Sequence, residues 1–397
     1  MNVRQFFQQR VEEIHNDLVD IRRYLHTHPE LSFQEEKTMQ YVSERLTELG
    51  IPHTTNIGGF GVVGIIEGEN PSLKTIALRG DMDALPILEK NDVQYRSCNI
   101  GVMHACGHDV HTTNLLGAAR LLNEVKDQFN GTIKLIFQPA EERLPGGASI
   151  MIKDGVLENP KVETIVGQHV LPQMEVGKVG FRPGIYMASC DEIFIKVKGK
   201  GGHGAQPNLT TDTVLVASHI VVALQQIVSR NANPILPTVL SIGKIVGDGA
   251  TNVIPEEVYM EGTLRTFDEK WRAESKILIR KIVEGVGESM GAEIDLRIED
   301  GYPYLQNNDE LTNQSIEWAK EYMGEENVEM LPIRMTAEDF SYYTQVVPAC
   351  FYRLGTGNVS KGITSSIHTP TFDIDEGALK IGAGLMAWLA FQQLAGE

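Results

Sequence analysis

The sequence predicts an α/β protein with a doubly wound, mostly parallel sheet, interrupted by a smaller inserted α+β domain. Three observations lead to this fold class. The chain has 397 residues, more than one ordinary hydrophobic core holds, so two domains are expected. Short runs rich in Val, Ile and Leu alternate with helical patterns in the first part. That rhythm changes after GKVGFRPG, residues 177–184, and resumes near residue 301.

The N-terminal part predicts two helices and then alternating strands and helices. Apolar residues spaced alternately by four and three predict an amphipathic helix over residues 5–25. A second helix is predicted to begin at Ser32, with Glu35 completing a capping box, and to end before Gly50. The elements that follow are, in order, GVVGIIEG, KTIALRGDMD, a helix near 110–127, GTIKLIFQPAEE, a helix near 147–157, and ETIVGQHV.

The inserted segment predicts a strand, a helix, two strands, a long helix and a final strand. That order, βαββαβ, is typical of a ferredoxin-like domain. We therefore predict a discontinuous domain of residues 1–184 and 301–397, with residues 185–300 inserted. The predicted elements of the insertion are DEIFIKVKGKG, TDTVLVASHIVVALQQIVSR, TVLSIGKIVG, VYMEGTLRTF, the helix 268–290, and AEIDLRIED.

Composition limits the partners and the compartment. Acidic residues outnumber Lys and Arg by 53 to 35, which argues against nucleic acid because phosphates require a basic surface. The N-terminus lacks the apolar stretch of a secretory signal, and the apolar run IGAGLMAWLAF is too short to span a bilayer. The 4 cysteines show no disulfide-framework spacing. We expect a cytoplasmic protein with reduced thiols and no membrane partner.

The stretch MHACGHDVHT, residues 103–112, is the first candidate site. A buried thiol, a solvated loop and half of a disulfide are the simpler explanations for its cysteine and histidines. Other reactive side chains lie where predicted strands end, and ligands of open α/β sheets bind at the carboxyl ends of the strands. This shared location favours a metal site. The side chains concerned are Asp81, Asp83, Glu141, Glu142 and His169, with His368 supplied by the returning segment.

The adjacent acids of QPAEE allow a division of labour. One carboxylate can bind a metal ion, while the other takes a proton from a water molecule whose pKa the metal has lowered. Cys and His are good zinc ligands. Two histidines, a thiolate and a carboxylate exceed the three protein ligands of a usual catalytic zinc, so a second ion is expected.

The motifs follow one another in the order and spacing of a known family. The chain resembles the aminoacylase and carboxypeptidase family of dinuclear metallohydrolases. Within it, the chain resembles the branch of hippurate hydrolases, N-acyl-L-amino-acid amidohydrolases and plant auxin-conjugate hydrolases. The motifs are RGDMDALP, HACGHDVHT, QPAEE, GQHVLP, KGKGGHGAQP, GDGATNVIP, GTLRTFD, TAEDFSYY and IHTPTFDID, which together cover nearly the whole chain.

The resemblance implies two divalent metal ions per subunit. It makes Glu141 the general base and assigns five metal ligands, which are Cys106, His108, Glu142, His169 and His368. The wider family has a ligating His where this chain has Asp81 and a bridging Asp where it has Cys106, and His108 replaces the missing histidine. A thiolate favours zinc, whereas enzymes of the branch often work with manganese or cobalt.

Further residues receive roles from the same resemblance. Asp83 would orient ligands without binding the metal. His203, in the inserted lid or dimerisation domain, would polarise the scissile carbonyl in the active site of a neighbouring subunit, so a homodimer or higher oligomer is expected. Asn252 and Arg265 are candidates for binding the substrate's carboxylate or carbonyl oxygen. His104 and His111 are interpreted as loop residues, and Glu338 and Asp339 as pocket-lining residues.

Other functions were weighed against this one. The glycines of GFGVVG, residues 59–64, match a dinucleotide fingerprint, but a turn precedes them and a strand follows, which disfavours an oxidoreductase. A non-catalytic metal protein would not need the spare carboxylate of Glu141. The sequence thus predicts a hydrolase of N-acyl-L-amino acids such as N-acetyl or N-benzoyl derivatives. A dipeptidase or aminopeptidase, or an N-acetyldiaminopimelate deacetylase, is the alternative.

Overall fold

The computed structural model describes residues 2–395 and combines helices with one large sheet and several smaller ones. The helices are α1 (Val3–Glu13), α2 (His15–Thr27), α3 (Glu36–Glu48), α4 (His108–Asn123), α5 (Gly147–Lys153), α6 (Thr213–Gln226), α7 (Glu269–Ser289), α8 (Asp309–Met323), α9 (Ser341–Thr344) and α10 (Gly377–Leu394). The strands are β1 (His53–Ile57), β2 (Gly61–Glu67), β3 (Thr75–Asp81), β4 (Thr132–Gln138), β5 (Thr164–Glu175), β6 (Val179–Phe181), β7 (Gly184–Met187), β8 (Asp191–Lys198), β9 (Gly202–His203), β10 (Val239–Gly247), β11 (Val253–Ile254), β12 (Glu257–Arg265), β13 (Glu293–Asp300), β14 (Leu305–Asn307), β15 (Val328–Met330) and β16 (Ala349–Gly357).

The chain divides into two compact units. Unit 1 contains the residues up to Tyr186, Gln306–Ile333 and those from Asp339 onward. Unit 2 contains Met187–Leu305 and the short segment Arg334–Glu338. The sequence-based boundaries at 184/185 and 300/301 lie within a few residues of these limits. The sequence analysis did not predict that residues 334–338 belong to unit 2. A segment of five residues is too short to show a periodic pattern that would assign it to a domain.

Unit 1 is built on an eight-stranded sheet in the order β1-β2-β4-β3-β5-β16-β6-β15. Four of its seven pairings are parallel, namely β3 with β4, β3 with β5, β5 with β16, and β6 with β15. The central strands β3, β4 and β16 are buried along their whole length, which explains why they appear in the sequence as continuous apolar runs. The predicted α/β architecture with a large, mostly parallel sheet is confirmed.

The first predicted helix is divided in two. Ile14, with φ −92° and ψ 2°, ends α1 and precedes α2. Its side chain is nevertheless buried with Phe7, Val11 and Leu18 in the unit 1 core. The apolar spacing therefore predicted the buried face correctly, but a periodic pattern does not require that the helix is continuous.

The predicted capping box at Ser32 is wrong. Helix α3 begins at Glu36, and its free backbone N–H groups are satisfied by the Glu30 carboxylate, which accepts from Thr38 N at 2.8 Å and Lys37 N at 3.2 Å. The Ser32 hydroxyl donates to Asp83 instead, at 2.6 Å. The Glu35 carboxylate accepts from Phe33 N and Ala140 N. Both residues of the supposed box therefore serve contacts outside the helix.

Unit 2 contains a four-stranded antiparallel sheet in the order β10-β12-β8-β13. Helices α6 and α7 pack on each other and, with one face of the sheet, form a separate core that includes Ile195, Ile220, Met260 and Ile279. Strands β10 and β13 are the two edges of this sheet.

Helix α6 continues as one π-helical turn, Ile227–Asn231. By length and composition alone, Thr213–Asn231 is apolar enough to cross a membrane, a property that the sequence analysis did not recognise. Its buried face, with Val216 and Ile220, belongs to the unit 2 core, while Val214 and Val222 on other faces are exposed.

A buried ion pair stabilises unit 2. The Asp191 carboxylate is fully buried and accepts two hydrogen bonds from the Arg272 guanidinium, at 2.8 and 2.7 Å. Lys276 Nζ lies 3.0 Å from the same carboxylate. Burial opposes ionisation, but the bonds from Arg272 and the charge of Lys276 lower the pKa of Asp191 overall. Asp191 therefore stays ionised in the folded protein at acidic pH.

We expect Asp191→Asn to reduce the free energy of unfolding by about 3–5 kcal/mol at pH 7, because the variant leaves a buried guanidinium without its full counter-charge. The folded-state pKa of Asp191 lies below the unfolded value of about 3.9. Its contribution is thus present above about pH 4 and is lost as the pH falls further. Urea denaturation at pH 7 and at pH 3 measures both effects.

Asp300→Asn is the matched control, because the exposed Asp300 carboxylate pairs with the same Lys276 at 2.6 Å. An exposed pair contributes at most about 1 kcal/mol. Equal losses in the two variants would contradict a special role for the buried pair.

Candidate metal centre

The register of three parallel strands brings the candidate residues of unit 1 to one end of the sheet. Asp81 on β3 lies beside Gln138 on β4, and Arg79 lies beside Gly167 on β5. The residues that follow these positions are Asp83, the acid pair that begins at Glu141, and His169. Parallel strands end at the same sheet edge, so side chains that are distant in sequence become neighbours.

The cysteine loop reaches the same edge through a glycine. Gly107 has φ +86° and precedes α4, so His108 is the first helical residue. A Cβ at Gly107 would lie 2.5 Å from Val170 Cγ2, which excludes any larger side chain. His368, also at positive φ, is held by its backbone N–H, which donates to Ala105 O at 2.7 Å.

The five predicted ligands lie close together. Cys106 Sγ is 3.4 Å from both His169 Nε2 and His368 Nε2. Glu142 Oε1 lies 3.2 Å from His368 Nε2 and 3.9 Å from His108 Nε2. Potential ligand atoms of Cys106, His108 and His169 all lie within 4.8 Å of one another, as do those of Cys106, Glu142 and His368. The thiol thus belongs to both groups, as a bridging ligand would.

The Asp83 carboxylate forms hydrogen bonds with the side chain or backbone of several residues of this cluster. Its carboxylate accepts from His108 Nδ1 at 3.1 Å, from the backbone N–H groups of Glu141 and Glu142 at 3.0 Å each, and from the Ser32 hydroxyl. Burial opposes ionisation, but these donors lower the pKa of Asp83. With Nδ1 bonded to Asp83, His108 presents Nε2 to the cluster.

The donor atoms fit a metal ion. Within residues 2–395, His108 Nε2 and Glu142 Oε1 are buried and form no hydrogen bond, because His368 Nε2, 3.2 Å from Glu142 Oε1, is not oriented to make one. Buried polar atoms without a partner are costly. A cation between them would satisfy both atoms, and imidazole, thiolate and carboxylate are the donors that zinc and related divalent ions accept.

The electrostatics of the cluster also favour a cation. Burial opposes protonation of His108, but Asp81, Asp83 and Glu142 raise its pKa to about 10. Burial and the carboxylates of Glu142 and Glu141 raise the pKa of the Cys106 thiol well above its ordinary value. Burial and Arg353 lower the pKa of His169, whose ring is therefore neutral. The raised pKa values of His108 and Cys106 both reflect the negative potential of nearby carboxylates, which would also attract a divalent cation.

Two histidines of the cysteine motif differ in position. His111 is not a loop residue: it lies in α4, donates from Nδ1 to Asp81 Oδ1 at 2.5 Å and accepts from Val170 N at 2.9 Å. It therefore ties Asp81 to the strand that carries His169. His104 does lie in the loop, and it is buried. This position agrees with its interpretation as a loop residue.

Asp339 belongs to a buried hydrogen-bond network. Its buried carboxylate accepts from Arg79 at 2.7 Å, from Gln138 at 2.8 Å and from Ala148 N at 2.9 Å. Arg79 also donates to Asp81. This network connects the ends of β3 and β4 to α5. The backbone N–H of Asp339 also donates to Glu141 Oε1, at 3.4 Å. An arginine inside the apolar run TIALRGD was the signal in the sequence that the analysis missed.

The remaining predicted residues lie in unit 2. His203 is exposed on β9, which pairs with β11, and its Nδ1 accepts from Ala205 N at 3.0 Å. Asn252 lies in the turn before β11, and its carbonyl accepts from Gly204 N. Arg265 is half-buried at the end of β12. His203 and Asn252 thus belong to one two-stranded ribbon.

Comparison with known proteins places these features in a family. The sequence profile described as peptidase family M20/M25/M40 matches residues 77–392. The N-acyl-L-amino acid amidohydrolase of Geobacillus stearothermophilus is 44% identical over 300 residues, 76% of this chain and 80% of that protein. The N-acetyl-L-cysteine deacetylase of Bacillus subtilis is 39% identical over 368 residues, 92% and 85% of the two chains.

A solved structure is similar over nearly the whole chain. It is that of the YXEP protein of Bacillus subtilis, described as a dinuclear metal binding peptidase from the M20 family. The TM-score is 0.80 at 34% sequence identity, covering 96% of this chain and 99% of that one.

Proposed function

This chain belongs to peptidase family M20/M25/M40 as an amidohydrolase, and we propose that it cleaves the amide bond of N-acyl-L-amino acids. The products are a carboxylic acid and a free amino acid. The observation that carries the proposal is the convergence of four donor side chains on Cys106, with a further carboxylate, Glu141, beside them.

We assign Cys106, His108, Glu142, His169 and His368 as the ligands of two divalent ions, of zinc, manganese or cobalt. When bound, such ions lower the pKa of water and polarise a carbonyl. We place the enzyme in the cytoplasm, where the Cys106 thiol would stay reduced.

Glu141 is the proposed general base. It is buried, its Oε1 accepts from Asp339 N, and its backbone is held by Asp83. Its carboxylate would take a proton from the water that attacks the amide carbon. The same proton would then pass to the leaving nitrogen as the C–N bond breaks. One carboxylate therefore serves as base and then as acid.

His203 is the proposed donor to the oxygen of the scissile carbonyl. Because its Nδ1 accepts from Ala205 N, the ring hydrogen is on Nε2, which is free to donate. Asn252 and Arg265 would bind the carboxylate or carbonyl oxygen of the substrate. We assign unit 2 as the lid and dimerisation domain, because its edge strand β10 and the exposed apolar residues of α6 are open to a second copy.

Purified protein should hydrolyse N-acetyl, N-benzoyl or indoleacetyl amino acids. Exhaustive chelation should abolish turnover, and Mn²⁺, Zn²⁺ or Co²⁺ should restore it. A substrate panel that includes dipeptides and N-acetyldiaminopimelate tests the alternatives. Full activity in demonstrably metal-free protein would refute the proposal, and preference for dipeptides would favour a peptidase.

A second test should distinguish the functions of the adjacent residues Glu141 and Glu142. Glu141→Gln removes the base, so turnover should fall by at least ~10²-fold while metal content stays normal. Glu142→Gln removes an anionic ligand, so bound metal should be lost or weakened. Metal analysis by mass spectrometry together with steady-state kinetics distinguishes them. The opposite pattern would mean that the two roles are exchanged.

A subunit-mixing experiment tests His203. His203→Ala should bind metal normally yet hydrolyse poorly, because a donor to the developing oxyanion contributes ~3–4 kcal/mol. Inactive Glu141→Gln and His203→Ala chains are co-assembled. If His203 acts across a two-fold interface, each heterodimer has one intact site and should regain up to about half the wild-type rate. Verified heterodimers without activity would place His203 in its own subunit's site or outside catalysis.

A further inference from the structure

Glu35 is a buried acid to which the proposed mechanism gives no role. It lies just before α3, and its side chain is fully buried. Carboxylate Oε1 accepts from Phe33 N at 3.0 Å and from Ala140 N at 2.8 Å. Within residues 2–395, Oε2 is buried and has no hydrogen-bond partner. Such a placement is costly, so the contacts made by Oε1 must account for it.

Ala140 is the residue before the proposed base. It has φ +54°, a left-handed conformation that is unfavourable for alanine because its Cβ crowds the following carbonyl oxygen. Its carbonyl accepts from Gly147 N at 2.9 Å. The Ala140 conformation decides the direction in which the chain continues to Glu141. The hydrogen bond from Ala140 N to Glu35 therefore helps to hold a backbone geometry that would otherwise relax.

Two buried carboxylates together hold three consecutive amides. Glu35 accepts from Ala140 N, and Asp83 accepts from the N–H groups of Glu141 and Glu142. The turn that carries Glu35 also supplies Ser32, which donates to Asp83. Burial and the charge of the nearby Asp83 raise the pKa of Glu35 to about 7. Placing two buried acids under one loop is unfavourable for folding alone, so the arrangement points to a role in the site.

We propose that Glu35 is a positioning residue for Glu141, acting through the backbone N–H of Ala140. The inference rests on the proposed function, in which Glu141 must meet the attacking water in one geometry. A displacement of about 1 Å at a reacting group can lower the rate by about 10²-fold. Within residues 2–395, the hydrogen bonds of the Glu35 carboxylate go to Phe33 N and Ala140 N and not to a proposed ligand, so its effect should appear in turnover and not in metal binding.

Two substitutions distinguish loss of the hydrogen-bond acceptor of Glu35 from a change in the size of its side chain. Glu35→Gln retains an acceptor oxygen for Ala140 N, whereas Glu35→Met retains the length and removes the acceptor. We expect Glu35→Gln to keep kcat within about 3-fold of wild type. We expect Glu35→Met to lower kcat by about 10–100-fold, with KM within about 3-fold and with full metal content. Hydrogen exchange at the Ala140 amide should be faster in Glu35→Met and close to wild type in Glu35→Gln.

Glu30→Met is the matched control. Glu30 lies in the same turn, but its carboxylate accepts from the first turn of α3. Loss of this cap should lower the midpoint of urea unfolding slightly and leave kcat unchanged. If Glu35→Met does not fold, Glu35→Asp, which withdraws the acceptor by one methylene, should show the same loss of kcat.

The outcomes distinguish the inference from the proposed function. A folded Glu35→Met variant with wild-type kcat would overturn the inference, and so would a Glu35→Gln variant as impaired as Glu35→Met. Wild-type protein that hydrolyses none of the N-acyl amino acids would instead overturn the proposed function. In that case the exchange rate at Ala140 still reports whether Glu35 holds the loop.

Discussion

The site of unit 1 depends on one carboxylate, that of Asp83. It accepts four hydrogen bonds from three separate parts of the chain: the N-terminal turn at Ser32, helix α4 at His108, and the two amides of the acid pair that begins at Glu141. The three parts are far apart in sequence, and this carboxylate joins them at one point. Without this acceptor, the imidazole and the acid loop would each be free to turn away from Cys106.

Several other charged side chains are buried close to the ends of these strands. Arg79, Asp81 and Asp339 are all fully buried within an otherwise apolar unit. Such groups are costly to desolvate, and apolar residues of similar volume would often be as stable. Their hydrogen bonds run from β3 to Gln138 on β4 and to the backbone of α5 at Ala148, so the network determines where the strand ends lie. The buried charges therefore lower the stability of the core, while their hydrogen bonds fix the positions of the strand ends that carry the site residues.

Much of this could be predicted from the sequence, because the informative signals are local. Apolar runs gave the strands, and the reactive side chains followed them at one sheet edge. The failures share a physical cause. Glu35 matched a capping box by spacing, yet its partner Ala140 is 105 residues away. His111 was interpreted as a loop residue although it lies in α4, and its partner Asp81 is also distant in sequence. A local pattern identifies which face is buried, but it does not identify which polar groups meet there.

The separation of Cys106 from His368 has a consequence for biosynthesis. The two side chains meet across 262 residues of sequence. At about 5–20 residues per second, translation adds His368 roughly 13–50 s after Cys106. His108, Glu142 and His169 are added early in that interval, whereas His368 is added at its end. The complete set of five proposed ligands therefore exists only when the chain is nearly finished.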